Sequence, residues 1–136
     1  MMRVIDVVRG PLIVAGPEAA LSHAARLMDM HDVDAVVVTE GGRPIGIVTE
    51  RDLVIRGLAR ELRGDAPLHT VMTPDPVTIE ASADASAAYH QLRERTLHRL
   101  PVVVDGQLVA LVTLDDFAVD PPPELTRLVH ASADPS

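Results

Sequence analysis

HRLPVVVDGQLVALVTLDDF, residues 98–117, reads as a strand, a tight polar turn, a returning strand and the start of a helix. Leu100 to Val104 is apolar and rich in β-branched residues, the composition of a buried strand. Asp105-Gly106-Gln107 supplies the turn, and Leu108 to Val112 supplies the partner strand. Thr113-x-x-Asp116 then opens a helix. Sixty-four positions upstream the same plan appears as DAVVVTEGGRPIGIVTERDL, residues 34–53.

The repeat extends beyond these stretches. Val71-Met72 answers Val7-Val8, and Val77-Thr78-Ile79 answers Ile13-Val14-Ala15. A helix starting near Glu18 carries Leu21, Ala24, Ala25 and Met28 on one face, and Ala85, Ala88, Tyr89 and Leu92 repeat that face. Only nine of the fifty aligned pairs between Val4–Leu53 and Leu68–Phe117 are identical, so the shared register of strand, turn, helix face and Thr-x-x-Asp carries the repeat. A second helix is expected from about Glu50 to Leu62, broken by Arg63-Gly64-Asp65-Ala66-Pro67. The expected organisation is repeat 1 at 4–62, a linker at 63–67, repeat 2 at 68–120 and a Pro-rich tail at 121–136. A short amphipathic helix is expected in that tail around Leu125, Leu128 and Val129. A unit of this size buries too little surface to stand alone. The expected fold class is therefore α/β (α+β in layout): two β-α-β-β-α repeats packed sheet to sheet by pseudo-two-fold symmetry. Such a pairing leaves clefts where strand ends and helix starts converge.

Composition removes whole classes of function. The net charge is −8 and all twelve basic residues are arginine, so lysine Schiff-base chemistry and a lysine-dependent phosphate loop are excluded. An acidic chain without a basic stripe argues against nucleic acid. No cysteine is present, which removes thiolate metal sites and cysteine nucleophiles. No apolar run approaches the ~20 residues of a membrane helix. With no signal-peptide core after Met1, the chain reads as cytoplasmic. Tyr89 and Phe117 are the only aromatic residues. No nucleophile elbow, calcium loop or metal set stands out, and His90, Glu94 and His98 at i, i+4, i+8 read as a solvated face. The expectation is not an enzyme, with no catalytic residue, metal or cofactor.

The chain resembles a tandem pair of cystathionine β-synthase (CBS) domains, a Bateman module. The residues carrying the match are Val71-Met72-Thr73 with Pro76-Val77-Thr78, Arg99-Leu100-Pro101-Val102-Val103, Leu108 to Thr113 and Asp116-Phe117. In the first copy Ile45-Gly46-Ile47-Val48-Thr49-Glu50-Arg51-Asp52-Leu53 fits the family signature more closely still. The resemblance implies a regulatory binding module holding an adenosyl ligand in the cleft between repeats: AMP, ADP or ATP ahead of S-adenosylmethionine or NAD. It also implies a homodimer that signals through its shape or through a separate effector protein. The alternative is a structural or interaction disc with no physiological nucleotide.

On that resemblance, Asp116 and Asp52 are the candidate ribose contacts, since a carboxylate accepts hydrogen bonds from both vicinal hydroxyls. Thr113 and Thr49 are candidates to donate to phosphate beside free helix-start amides. Thr-x-x-Asp is equally the pattern of a capping box, which needs no ligand, and the two roles can coexist. Arg99 and His98 are the candidate phosphate contacts of the second copy. Asp34 and Ala35 replace them in the first copy, where Arg51 partly substitutes for the missing charge. Asp115 adjoins Asp116 and repels an anion, yet the basic pair makes the second copy the better expected site. Arg99→Ala is then expected to weaken adenylate binding more than Asp34→Ala. Val77, Thr78 and Val14 are candidate backbone contacts to adenine. Ala110 stands where the first copy has Gly46, so a methyl narrows that cleft.

Overall fold

The computed structural model describes residues 1–94 and 98–119. The tail at 121–136, with its expected helix, lies outside the described residues. The elements are α1 (Val4–Val7), β1 (Val14–Ala15), α2 (Leu21–His31), β2 (Ala35–Glu40), β3 (Arg43–Thr49) and α3 (Glu50–Asp52). A π-helical turn (Leu53–Gly57) and a 3-10 turn (Leu58–Arg60) prolong α3, and another 3-10 turn covers Leu68–Thr70. Then come β4 (Thr73–Pro74), β5 (Ile79–Glu80), α4 (Ala85–Glu94), β6 (Arg99–Val104), β7 (Gln107–Thr113) and α5 (Leu114–Val119). Each copy is thus β-α-β-β-α, and the two hairpins sit 64 positions apart, as the periodicity predicts.

The compact units do not follow the order of the chain. The first unit is Pro11–Pro76 with Gly106–Leu108; the second combines Met1–Gly10 with Val77–Asp105 and the chain from Val109. Each copy's leading segment therefore completes the core of the other copy. In the first unit, Leu21 N–H donates to Ala66 O (2.9 Å) and Leu68 N–H to Ala19 O (2.9 Å). In the second, Ala85 N–H donates to Met2 O (2.8 Å) and Val4 N–H to Ala83 O (2.8 Å), the same bonds displaced by 64 positions. The repeat is legible down to single hydrogen bonds.

The first unit carries a four-stranded sheet in the order β1-β2-β3-β4. In it β1 runs parallel to β2 through the α2 crossover, and β3 lies antiparallel to both β2 and β4. The second unit carries three strands, β5-β6-β7, with β5 parallel to β6. Val36, Val38 and Val48 of the first sheet pack with Leu21, Ala24, Met28, Leu68 and Val71. In the second unit Leu100, Val102 and Val112 pack with Tyr89, Leu92 and Phe117, and Val4 and Val7 of α1 join them fully buried. Tyr89 and Phe117 meet edge to face at 5.4 Å.

Several expectations shift. The helix expected from Glu18 begins at Leu21, because the carbonyls of Gly64 and Ala66 take the first amides of α2 and hold Ala20 extended. Ala25, placed on the apolar face by periodicity, is exposed. The first strands are two residues each, Val14–Ala15 and Ile79–Glu80, which leaves Val77 and Thr78 ahead of the strand. Edge strand β4 contains Pro74, which fits an edge and hides the strand from a composition reading.

Gly46 has a packing reason. A Cβ there would collide with the Met72 thioether sulfur and lie 2.9 Å from Met72 Cγ. At the corresponding positions of the repeat Ala110 replaces Gly46 and the shorter Val8 replaces Met72; Ala110 is buried in the second unit's core and Val8 packs against that core. A larger residue at one position goes with a smaller one at the other, the exchange expected if core volume is conserved at that register.

Candidate functional site

Strand β3 ends at Thr49, still extended at φ −110° and ψ 168°, and the chain turns directly into α3. Thr49 Oγ1 accepts the Asp52 amide at 3.2 Å, while Asp52 Oδ2 accepts the Thr49 amide at 2.8 Å and its hydroxyl at 3.0 Å. This is a reciprocal capping box, and it occupies one carboxylate oxygen with two donors. The other, Oδ1, faces Arg56 Nε at 3.8 Å, an ion-pair distance too long for a hydrogen bond. Arg56 also reaches the Met72 carbonyl through Nη1 at 3.4 Å. Its side chain is 41% exposed, so the pair adds little stability and holds Oδ1 loosely.

The equivalent carboxylate in the second unit is differently engaged. Asp116 Oδ2 accepts the Thr113 amide at 2.8 Å, repeating the cap. Oδ1 accepts the backbone amide of Arg9 at 2.9 Å, 107 residues away in sequence. Asp116 is only 5% exposed. Two amides aimed at one buried carboxylate are charge-assisted bonds worth about 1.5–3 kcal/mol each. Asp116 therefore clamps the N-terminal segment, a role the spacing does not predict.

The remaining candidates fall on the surface or at strand starts. His98 is exposed and Arg99, half-buried, opens β6. Asp34 and Arg51 are exposed. Val14 and Val77 keep 45% and 40% of their surface and Thr78 is exposed, so each copy presents an apolar side chain near its first strand. The structure joins Thr49 with Asp52 and Thr113 with Asp116. Arg56 was missed, although its i, i+4 spacing from Asp52 is visible in the sequence. Arg9 could not be found in that way, because it acts through its main chain. An apolar cleft of about 210 Å³ opens on the first unit among Leu21, Ala25, Leu53, Leu58 and Leu62, and none of the candidate residues lines it. His90 Nδ1 lies 3.8 Å from Glu94 Oε1 on an exposed helix face, and among the described residues no three potential metal ligands converge.

The chain matches the CBS domain family twice, over residues 4–58 and 68–119. It is 31% identical over 120 residues to the CBS domain-containing protein YhcV of Bacillus subtilis, spanning 88% of this chain and 86% of that one. Hypoxic Response Protein I, whose crystal structure holds two coordinated zinc ions, superposes with a TM-score of 0.79 at 28% identity, covering 89% of this chain and all of that one. A CBS domain protein of Pyrobaculum aerophilum complexed with AMP shares the fold with a TM-score of 0.80 at 21% identity, covering 96% and 99%.

Proposed function

The chain belongs to the CBS domain family as a tandem pair, and from that premise we propose that it is a cytoplasmic regulatory protein binding an adenine nucleotide or a related adenosyl ligand. Ribose is taken by the carboxylates of the Thr-x-x-Asp turns, and phosphate by Arg51 and Thr49 in the first unit and by Arg99, His98 and Thr113 in the second. Val14, Val77 and Thr78 lie against the adenine. The observation that carries this reading is Asp52 Oδ1, which faces a cation at 3.8 Å instead of a hydrogen-bond donor. A ribose hydroxyl supplies the donor, and the loosely held Arg56 becomes available to phosphate. The fold itself accommodates AMP in the Pyrobaculum protein. No catalytic step belongs to this role. The output passes through a homodimer or a separate effector protein. Among the described residues no helix is long and apolar enough to cross a membrane.

The engaged carboxylate of Asp116 favours a second reading, a structural or interaction disc in which both Thr-x-x-Asp turns only cap helices. A thermal-shift series with AMP, ADP, ATP, S-adenosylmethionine and NAD separates the two. A ligand at 100 times its Kd stabilises the folded state by about 2.7 kcal/mol. Saturable stabilisation by one of the five supports the nucleotide role, and none by any of them leaves the disc.

A further inference from the structure

Four exposed apolar side chains, Val54, Ile55, Leu58 and Leu62, fall within residues 54–62 of the first unit, and Leu58 keeps 73% of its surface. The turn there is π-helical, with the Leu58 amide donating to both Leu53 O and Val54 O. It lies close against α2, since a Cβ on the buried Gly57 would stand 3.3 Å from Leu21 Cδ1. Leu58 and Leu62 thereby line the apolar cleft with Leu21, Ala25 and Leu53. Single exposed apolar residues are ordinary, whereas a cluster accompanied by charge marks an interaction surface. The charge along this stretch is basic. Arg51 and Arg60 are exposed, and among the described residues no acid lies within ion-pair distance of either. Asp52 is the one acid from 51 to 60, and its cap and Arg56 already engage it.

The second copy carries the opposite charge at the matching positions. Arg51, Arg56 and Arg60 correspond, 64 positions on, to Asp115, Asp120 and Glu124, and no basic residue stands from 115 to 124. Asp115 is exposed at the start of α5, and the exposed Ala118 stands where the first copy has Val54. Asp120 and Glu124 lie outside the described residues and enter only through their charge. We propose that the apolar patch of the first unit is an interface for a second copy of this chain, which meets it head to tail, with the α5 side of its own second unit. A head-to-head contact sets Arg51 and Arg60 against the same arginines and Asp115 against itself, and like charges brought together at an interface weaken it. The head-to-tail contact brings Arg51 toward Asp115 of the second copy, and the small Ala118 leaves room there for Val54 and Leu58. The inference rests on the homodimer of the proposed function for closure at two copies, and it needs no nucleotide.

Sedimentation equilibrium of the full chain without nucleotide tests the contact. The unmodified chain should dimerise. Leu58→Ser, Arg51→Asp and Asp115→Arg should each raise the dimer Kd about tenfold or more. The exchange of the two charges, Arg51→Asp with Asp115→Arg, should bring Kd back to within about threefold of the parent. Leu58 and Arg51 are exposed, so their substitutions leave the core untouched and still decide the matter if Asp115→Arg disturbs α5. A dimer that Arg51→Asp leaves unchanged or tightens is joined head to head, which overturns the proposal and spares the homodimer. A dimer indifferent to Leu58→Ser is joined by another face, which overturns it equally. An unmodified chain that stays monomeric overturns the proposal and the homodimer together, and leaves the patch to a separate effector protein.

Discussion

Gly46→Ala tests whether the two units conserve core volume at one register. The added Cβ would overlap the Met72 sulfur and approach Cγ and Cβ of that residue to 2.9 and 3.2 Å, where carbon atoms prefer about 3.5–4.0 Å. The thioether end can swing aside, but Met72 Cβ is tied to the backbone beside β4. Overpacking of this kind costs about 1–3 kcal/mol. Replacing a strand glycine with alanine returns roughly 0.5–1 kcal/mol of backbone entropy. The net loss is about 0.5–2 kcal/mol, a fall in Tm of roughly 2–8 °C for a chain of this length. Met72→Val in the same molecule recreates the combination of Ala110 and Val8 that the second copy has at these positions and should recover most of the loss. Chemical denaturation of the four members of this double-mutant cycle should give a coupling of about 1 kcal/mol. Strict additivity, or a Gly46→Ala protein as stable as its parent, would refute the volume exchange.

Three further outcomes follow from the geometry. Arg56→Gln should leave stability within about 0.5 kcal/mol, since its ion pair is long and exposed, yet weaken AMP relative to adenosine by roughly tenfold in calorimetry; equal loss for both would remove Arg56 from phosphate. Val4→Ala should cost about 1.5–3 kcal/mol, because the residue is fully buried in the second unit, and unchanged denaturant stability would show that the arm is dispensable. The amide and hydroxyl of Ser86 hold the Asp84 carboxyl below its ordinary value of 3.8, and Arg3 does the same for Asp6, chiefly through its side-chain hydrogen bonds. Depressed carboxyls contribute stability above their unfolded pKa, so their share is present at neutral pH and is lost as acid takes the solution below 3.8. Asp84→Asn should flatten that part of the acid denaturation curve, and an unchanged curve would contradict the assignment.

The hairpins were legible because Val36–Val38 and Val102–Val103 combine buried β-branched runs with glycine-bearing turns, a local signal. The helix face of α4 was legible for the same reason. What escaped is non-local. Nothing within residues 4–8 says which core takes Val4 and Val7, since a short apolar segment suits either repeat. The late start of α2 depends on carbonyls supplied by Gly64 and Ala66, more than forty residues downstream. At the candidate site the Thr-x-x-Asp boxes were visible in spacing, and both carboxylates do cap their helices. The difference between them was not, because Asp116 is distinguished by a backbone amide, and every residue except proline has one. Basic side chains had favoured the second copy, whereas the looser carboxylate is Asp52.

The exchanged leading segments also set an order of assembly at the ribosome. Nearly all of the first unit is one continuous run, Pro11 to Pro76, and it can close while the rest of the chain is still being made. Met1 to Gly10 has no such option, since its partners Ala83, Ala85 and Asp116 are translated after that run. Until residues 79–117 have followed, the growing chain therefore carries Val4, Ile5, Val7 and Val8 without the core that buries or packs them.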